Sequence, residues 1–350
     1  MPSKQLALWV DKVFLNDEIF NPASPYNLDD RLSTATLLKE RLAEYGWDCH
    51  TADFYQKQAA VPDAVLFLDL PAEPVSSLTK DWGNARKLAV LFECDVIKPQ
   101  NWEMLRHADF DAIFTWNEAL VDNKKYFKIN FSQRFPAVAE PRPVAREKFC
   151  VLIAGNKKSS HPLELYSERV KTIRWFEKHH PLEFDLYGIG WDRRMFAGPL
   201  PVRALNRVPF LSRLLAPRFP SYRGEAADKR KLLGSYKFSI CYENAREIGG
   251  YITEKIFDCI KTGCIPVYWG APDITKYVPA DCFIDKRDFK SHEELYAFMG
   301  GMGDAERARR LAAMSVYLSG GDTYQFSDEY FAKAIAAVLT GALGGAGGRG

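Results

Sequence analysis

The sequence predicts an α/β protein of two domains, each built around a parallel sheet. Its 350 residues exceed one ordinary hydrophobic core and suit two. In both halves, short apolar runs rich in β-branched and aromatic residues alternate with segments of helical spacing, which is the β-α-β rhythm. Prolines at 136, 141 and 143 disfavour helix and central strand at 135–148. We therefore predict domains at 1–140 and 141–325, a C-terminal helix at 326–340 and a disordered glycine-rich tail at 341–350.

The first domain contains four runs that read as strands, at 6–10, 64–70, 88–92 and 112–116. Between the first two runs lies an apolar stripe at helical spacing, formed by Leu32, Leu37, Leu38, Leu42 and Tyr45. This alternation predicts parallel strands connected by helices.

The second domain repeats the pattern with strands at 149–153, 184–187, 238–242 and 265–268. Each strand is followed by glycine or a polar side chain: Gly155 and Asn156, Gly188 and Gly190, Glu243 and Asn244, and Gly270. Ligands of open parallel sheets bind outside the carboxyl ends of the strands. The second domain is therefore the predicted nucleotide-binding half. The helix at 326–340 follows from a further apolar stripe of Phe326, Tyr330, Phe331, Ile335 and Val338.

Composition excludes several classes of function. The 47 Lys and Arg residues nearly balance 45 Asp and Glu residues, so the overall charge predicts no nucleic-acid partner. The seven cysteines are scattered without a C-x-x-C pair, which favours a reducing compartment over a disulfide or zinc framework. No apolar run approaches the roughly 20 residues of a membrane span, and the first residues lack a signal-peptide layout. We expect a cytoplasmic protein.

Two motifs are weak. Gly345, Gly347 and Gly350 spell G-x-G-x-x-G, but they lie in the tail rather than between a strand and a helix. Asp109 and Asp111 form a D-x-D pair, yet they lead directly into an apolar strand, where acids more often cap a turn. We therefore expect neither a nicotinamide dehydrogenase nor a metal site.

The most informative segment is 236–270, which reads as strand, loop, helix and strand. Gly249 and Gly250 allow the backbone to approach a ligand closely where the following helix presents its N-terminal N–H groups. Lys255, in the first turn, adds a positive charge, and Glu243 and Asn244 offer acceptors for hydroxyls. Together these residues suit a nucleotide sugar.

The same segment carries a resemblance to a known family. Tyr236-Lys-Phe-Ser-Ile-Cys-Tyr-Glu-Asn244, Tyr251-Ile-Thr-Glu-Lys255 and Ile265-Pro-Val-Tyr-Trp-Gly270 resemble the signature of the alpha-1,3/4-fucosyltransferases, glycosyltransferase family 10. The strict match covers about 230–290. Tyr242 replaces the usual Phe, and the spacing between Asn244 and Tyr251 differs slightly.

The resemblance implies the GT-B fold, in which two Rossmann-like domains face each other across a cleft. It also implies inverting transfer of L-fucose from GDP-β-L-fucose to a glycan hydroxyl, in an alpha-1,3 linkage and without a metal. The second domain would hold the GDP-sugar, and the first would hold an oligosaccharide or a lipid-linked glycan acceptor.

The resemblance also implies roles for individual residues. Arg169 and Lys255 would contact the diphosphate, and Glu93 would be the base, with Asp95 as its rival. The remaining predicted donor-binding residues are Asn156, Tyr187, Gly188, Glu243, Asn244, Tyr251 and Glu254.

Three questions stay open from the sequence. The donor could be another GDP-linked sugar, and the protein could be a non-catalytic sugar-nucleotide-binding protein. The basic stretch at 193–231 fits a solvated loop, a peripheral contact with an acidic membrane near a lipid-linked glycan or, least well, nucleic-acid binding.

Overall fold

The structure is a computed structural model that describes residues 3–27, 30–135, 146–194 and 209–341. The chain forms two compact units. The first contains the described residues up to 135, the segment Ile248–Glu254 and the residues 320–341. The second contains the described residues of 146–247 and 255–319. The second unit therefore lacks two parts of the predicted 141–325 domain, because Ile248–Glu254 and the residues 320–325 belong to the first unit.

The first unit is built on a parallel sheet of six strands, in the order β2-β1-β3-β4-β5-β6. These strands are β1 (Lys4–Trp9), β2 (Trp47–Thr51), β3 (Ala64–Leu68), β4 (Arg86–Leu91), β5 (Ala112–Thr115) and β6 (Tyr126–Lys128). The central strands are apolar because both of their faces are buried. The edge strands β2 and β6 were not predicted, since Trp-Asp-Cys-His-Thr is partly polar and β6 has only three residues.

Helices cover this sheet. They are α1 (Ser33–Glu44), α2 (Ala52–Lys57), α3 (Val75–Leu78) and, at the end of the chain, the helix Asp328–Thr340. This last helix shares one buried core with α1 and the sheet, through side chains such as Phe331 and Ile335. Its N-terminus is held by Asp328, whose carboxylate accepts hydrogen bonds from Ser33 and Thr34 at 2.6 Å each. The predicted C-terminal helix is thus part of the first unit, and residues 342–350 of the predicted tail lie outside the described residues.

The second unit has a parallel sheet of five strands, in the order β11-β10-β9-β7-β8. They are β7 (Lys148–Ile153), β8 (Phe184–Tyr187), β9 (Tyr236–Tyr242), β10 (Ile265–Trp269) and β11 (Ile284–Asp285). Its helices are α4 (Tyr166–His179), α5 (Pro209–Leu214), α6 (Lys229–Gly234), α7 (Glu254–Thr262), α8 (His292–Gly300) and α9 (Asp304–Ser319), so Asp328–Thr340 is α10. The prediction of an α/β protein with two parallel sheets is confirmed.

Two further observations bear on the expectations from composition. All seven cysteines lie in the described part of the chain, where they are buried and form no disulfide. Among the described residues, no helix combines the length and apolar character needed to cross a bilayer.

Candidate active-site residues

In the first unit, Glu93 follows strand β4 and is contacted by Tyr251. The Tyr251 hydroxyl donates a hydrogen bond to Glu93 Oε2 at 3.0 Å. Tyr251 is fully buried, and its ring packs against Trp116 and Phe131 at centroid distances of 5.2 and 5.6 Å. Glu93 is only half-buried, so its carboxylate lies beside an aromatic wall while remaining accessible.

The backbone at Glu93 is also held in place. Its carbonyl oxygen accepts hydrogen bonds from Asn101 Nδ2 at 3.0 Å and Trp102 Nε1 at 3.1 Å. The preceding carbonyl, of Phe92, accepts a hydrogen bond from Trp116 Nε1 at 2.8 Å. Side chains that follow β4 and β5 therefore hold the backbone that carries the Glu93 carboxylate.

The two residues that follow Glu93 are weaker candidates for a catalytic role. Asp95 Oδ1 accepts a hydrogen bond from the N–H of Val96 at 2.9 Å, which is a local turn contact. Burial raises the pKa of the Cys94 thiol to about 12, so Cys94 stays protonated and is a poor nucleophile. Glu93 remains the stronger candidate for a base.

The position of Tyr251 depends on Gly250. Its backbone has φ of 75°, and a Cβ built there would lie 2.8 Å from the carbonyl oxygen of Trp116. The sequence had suggested that Gly250 allows a ligand to approach the backbone closely. In the structure, the group that approaches it is the backbone of Trp116. Only a residue without a Cβ fits this close approach.

We expect Gly250→Ala to displace Tyr251 from Glu93, because the added methyl group must push the Trp116 backbone away. The expected loss is about 1–2 kcal/mol of stability, measured by urea unfolding. The matched control is Gly46→Ala, since Gly46 has φ of 76° and no atom within 4 Å of a Cβ. Equal losses in the two variants would show that the contact with Trp116 has no role.

In the second unit, four predicted residues come together where β9 ends. Glu243 is completely buried, and Lys255 Nζ, in the first turn of α7, lies 3.1 Å from Glu243 Oε2. Arg169 Nη2, from α4, donates hydrogen bonds to the carbonyl oxygens of Tyr242 and Glu243 and to Asn244 Oδ1, at 2.7, 2.8 and 3.2 Å. The predicted grouping of Arg169, Glu243, Asn244 and Lys255 is therefore observed within this unit.

Arg169 and Lys255 differ in how far they are exposed to solvent. Arg169 is only 4% exposed, and its guanidinium holds the chain at 242–244 in place. The Lys255 side chain is 20% exposed and lies in the first turn of a helix, where N–H groups and the helix dipole favour an anion. This cluster can therefore attract an anion, with Lys255 as the accessible contact.

Asn156, Tyr187 and Gly188 lie at the ends of β7 and β8. Asn156 Nδ2 donates to the carbonyl oxygen of Gly190 at 3.0 Å. Gly188 has φ of 129°, and a Cβ there would lie 2.1 Å from the Ala154 carbonyl oxygen. Asn156 and Gly188 therefore join two strand ends, and Tyr187, the last residue of β8, is half-buried beside them.

Glu254, the remaining predicted residue, is exposed and begins α7. No group of three or more His, Cys, Asp and Glu side chains that could hold a metal ion occurs in the part of the chain that the structure describes. Asp109 instead ends a 3₁₀ helix, and Asp111 accepts a hydrogen bond from the N–H of Lys87 at 2.7 Å. Asp111 therefore connects β4 to the start of β5.

Sequence reasoning missed several residues at Glu93. Asn101 and Trp102 lie in a short 3₁₀ helix that carries no motif, and their link to Glu93 appears only in the folded chain. The pairing of Tyr251 with Glu93 was also missed, because the resemblance places Tyr251 with the donor. One available signal was the acid at position 69, which lies near the carboxyl end of the apolar run predicted as a strand at 64–70.

The chain is similar in sequence to fucosyltransferases over part of its length. The family described as glycosyltransferase family 10 (fucosyltransferase), C-terminal part, matches residues 145–310. The alpha-(1,3)-fucosyltransferase FucT of Helicobacter pylori is 40% identical over 67 residues, which are 19% of this chain and 14% of that protein. Human alpha-(1,3)-fucosyltransferase 7 is 37% identical over 83 residues, 23% of this chain and 24% of the relative. Each alignment thus spans less than a quarter of the relative's length.

Solved structures are similar over nearly the whole chain. A crystal structure of an alpha1,3-fucosyltransferase has a TM-score of 0.56 and 14% identity, covering 97% of this chain and 90% of its own. Another, with GDP, has a TM-score of 0.54 and 15% identity, covering 97% of this chain and 91% of its own. At such low identity the similarity establishes the fold alone. The predicted GT-B fold type is confirmed.

Proposed function

Because this chain belongs to glycosyltransferase family 10, the fucosyltransferases, through its residues 145–310, we propose that it transfers L-fucose from GDP-β-L-fucose to a hydroxyl of a glycan acceptor. The observation that carries the proposal is the cluster of Arg169, Glu243, Asn244 and Lys255 within the matched domain. It combines accessible positive charge for a diphosphate with acceptors for hydroxyls.

In the proposed donor site, Lys255 binds the diphosphate and stabilises the negative charge that develops as GDP departs. Glu243 holds Lys255 in position, and Arg169 holds the backbone of Glu243. Arg169 thereby acts through the chain it fixes rather than by direct contact. Because Lys255 supplies the positive charge, we propose that no divalent metal is required.

In the proposed reaction, Glu93 is the general base. Its carboxylate takes the proton of the acceptor hydroxyl while that oxygen forms a bond to C1 of fucose. The bond between C1 and the β-phosphate oxygen breaks, and its electron pair leaves with GDP. A single displacement of this kind inverts the anomeric centre, so a β-linked donor yields an α-linked product.

Removing Lys255 tests the donor site. We expect Lys255→Ala to weaken GDP binding by about 1.5–3 kcal/mol, since a charge-assisted hydrogen bond is lost. Calorimetric titration with GDP measures this change. Lys261→Ala, in the last turn of the same helix, is the control and should bind GDP normally. Unchanged affinity in Lys255→Ala would contradict the assigned position of the diphosphate.

The function itself is tested by titrating the protein with GDP, GDP-fucose, GDP-mannose and UDP-galactose, in EDTA and then with manganese. The proposal expects selective binding of GDP-fucose in EDTA. A preference for GDP-mannose would reassign the sugar, and binding of a uridine nucleotide would refute the donor site. Transfer to a glycan panel then separates an enzyme from a non-catalytic GDP-sugar-binding protein.

The acceptor and its location are further proposals. We propose an alpha-1,3 linkage to an oligosaccharide or a lipid-linked surface glycan, made in the cytoplasm at the inner face of the membrane. The basic stretch 193–231 would supply the membrane contact, although 195–208 lie outside the described residues. Two of its cations already pair within the unit, Arg223 with Asp185 at 2.6 Å and Lys229 with Asp258 at 2.7 Å. Sedimentation with anionic and neutral vesicles distinguishes a membrane contact from a solvated loop.

A further inference from the structure

Asp69 lies directly after strand β3 and binds the backbone that carries Glu93. Its Oδ1 accepts hydrogen bonds from the N–H groups of Phe92 at 2.7 Å and Glu93 at 3.1 Å. The same oxygen accepts a third hydrogen bond, from Asn101 Nδ2, at 2.6 Å. One carboxylate oxygen thus fixes two consecutive peptide N–H groups at the candidate base.

Asn101 completes this arrangement. It is fully buried, and its Nδ2 also donates to the Glu93 carbonyl oxygen at 3.0 Å. Its Oδ1 accepts a hydrogen bond from the N–H of Leu70 at 2.8 Å. The Asn101 side chain therefore connects the chain after β3 to the chain after β4, and both the N–H and the C=O of Glu93 are held.

The backbone of Asp69 is itself unusual. It has φ of 62°, a conformation that costs free energy for a residue other than glycine, although Asp tolerates it better than most. Burial raises the pKa of Asp69, while the hydrogen bonds from Glu93, Asn101 and Phe92 oppose that rise. We expect a half-buried carboxylate on a backbone of unfavourable conformation only where the contacts of that carboxylate are needed.

We propose that Asp69, together with Asn101, is a positioning residue that holds the Glu93 carboxylate in the orientation required to accept a proton. The inference rests on the proposed role of Glu93 as the base. Asp69 acts through the backbone at 92–93, and Tyr251 holds the side chain itself by its hydrogen bond. A displaced carboxylate loses catalysis steeply, since about 1 Å of misplacement can cost about a hundredfold in rate.

The test compares Asp69→Ala, Glu93→Gln and the double variant in a transfer assay. Ala is used because Asn would keep an Oδ1 that can accept the same three hydrogen bonds. We expect Asp69→Ala to lower kcat about 10- to 100-fold, with the KM for GDP-fucose and the affinity for GDP nearly unchanged. In the Glu93→Gln background, Asp69→Ala should cause almost no further loss, because a residue that acts only through Glu93 has nothing left to position. Losses that multiply in the double variant would overturn the inference.

The matched control is Asp122→Ala. Asp122 also accepts hydrogen bonds from backbone N–H groups through one oxygen, those of Lys124, Lys125 and Tyr126, at 2.8 Å each. We expect this variant to keep the kcat of the original protein. A loss of kcat equal to that of Asp69→Ala would mean that any disturbed loop in this unit lowers activity, and would overturn the inference.

If Asp69→Ala fails to fold, Trp102→Phe tests the same backbone, because it removes the indole N–H that donates to the Glu93 carbonyl oxygen at 3.1 Å while keeping an aromatic ring beside Trp116. A several-fold loss of kcat that disappears in the Glu93→Gln background supports the inference, and an unchanged kcat contradicts it. Full activity of Glu93→Gln would refute the proposed base and the inference with it. An inactive Glu93→Gln with a fully active Asp69→Ala would overturn the inference alone.

Discussion

Replacing Glu93 with Gln is expected to lower kcat for fucose transfer by about 10²- to 10⁴-fold, the usual contribution of a general base. Gln has nearly the same shape and can still accept the hydrogen bond from Tyr251, so the aromatic wall should stay in place. It cannot take a proton at neutral pH. GDP binding should be unchanged, since Glu93 is not part of the cluster around Lys255. Steady-state kinetics with GDP-fucose and a glycan acceptor, with calorimetry of GDP binding, measures both quantities.

Asp95→Asn is the control for this result. Asp95 lies two residues along the same loop, and its carboxylate contacts the N–H of Val96. We expect a small effect on kcat. If the large loss appeared in Asp95→Asn and not in Glu93→Gln, the base would be Asp95, and the hydrogen bond between Tyr251 and Glu93 would be structural.

Replacing Arg169 with Ala is expected to destabilise the second unit by about 3 kcal/mol and to abolish measurable GDP binding. The guanidinium is buried, and its loss removes hydrogen bonds to the carbonyl oxygens of Tyr242 and Glu243 and to Asn244. The loop that holds Glu243 beside Lys255 would then lose its anchor. Arg169→Lys should recover little, because an ammonium group cannot reproduce the planar geometry of the guanidinium. Thermal unfolding and GDP titration measure the two effects.

Arg174→Ala provides the comparison from the same helix. Arg174 is exposed, pairs with Glu177 at 2.6 Å and lies over the ring of Phe219, so its loss should cost less than about 1 kcal/mol. If Arg169→Ala were as stable as Arg174→Ala yet failed to bind GDP, Arg169 would contact the diphosphate directly. That outcome would restore the role that the family resemblance implies.

The sequence predicted the central strands of both sheets, because a strand buried on both faces must be apolar along its length. It failed at the two edge strands of the first sheet. Strand β2 alternates buried and half-buried residues, and β6 has only three residues, too few for a pattern. The helix Asp328–Thr340 was predicted as a helix, but nothing in its spacing indicates that it packs against α1, whose sequence lies nearly 300 residues earlier.

The candidate donor site was predicted for the same local reason. Glu243 and Asn244 follow a strand directly, and Lys255 begins the next helix, so one β-α-β unit brings them together. Arg169 was joined to them only through the family resemblance. In the structure its Nη2 binds the protein's own chain at 242–244, and the diphosphate contact that the resemblance implies stays a prediction.

By itself the sequence determined which segments form strands and helices and which strand ends carry polar side chains. Both depend only on a few consecutive residues: the spacing of apolar side chains, and the glycine or polar residues at which an element ends. Only the tertiary structure decided that Tyr251 donates to Glu93, 158 residues away, and that Asp69 and Asn101 hold the same backbone. Such contacts depend on how neighbouring strand ends and a returning loop meet in space. A pattern along the chain contains no information about those contacts, so the candidate donor cluster was predictable and the surroundings of the candidate base were not.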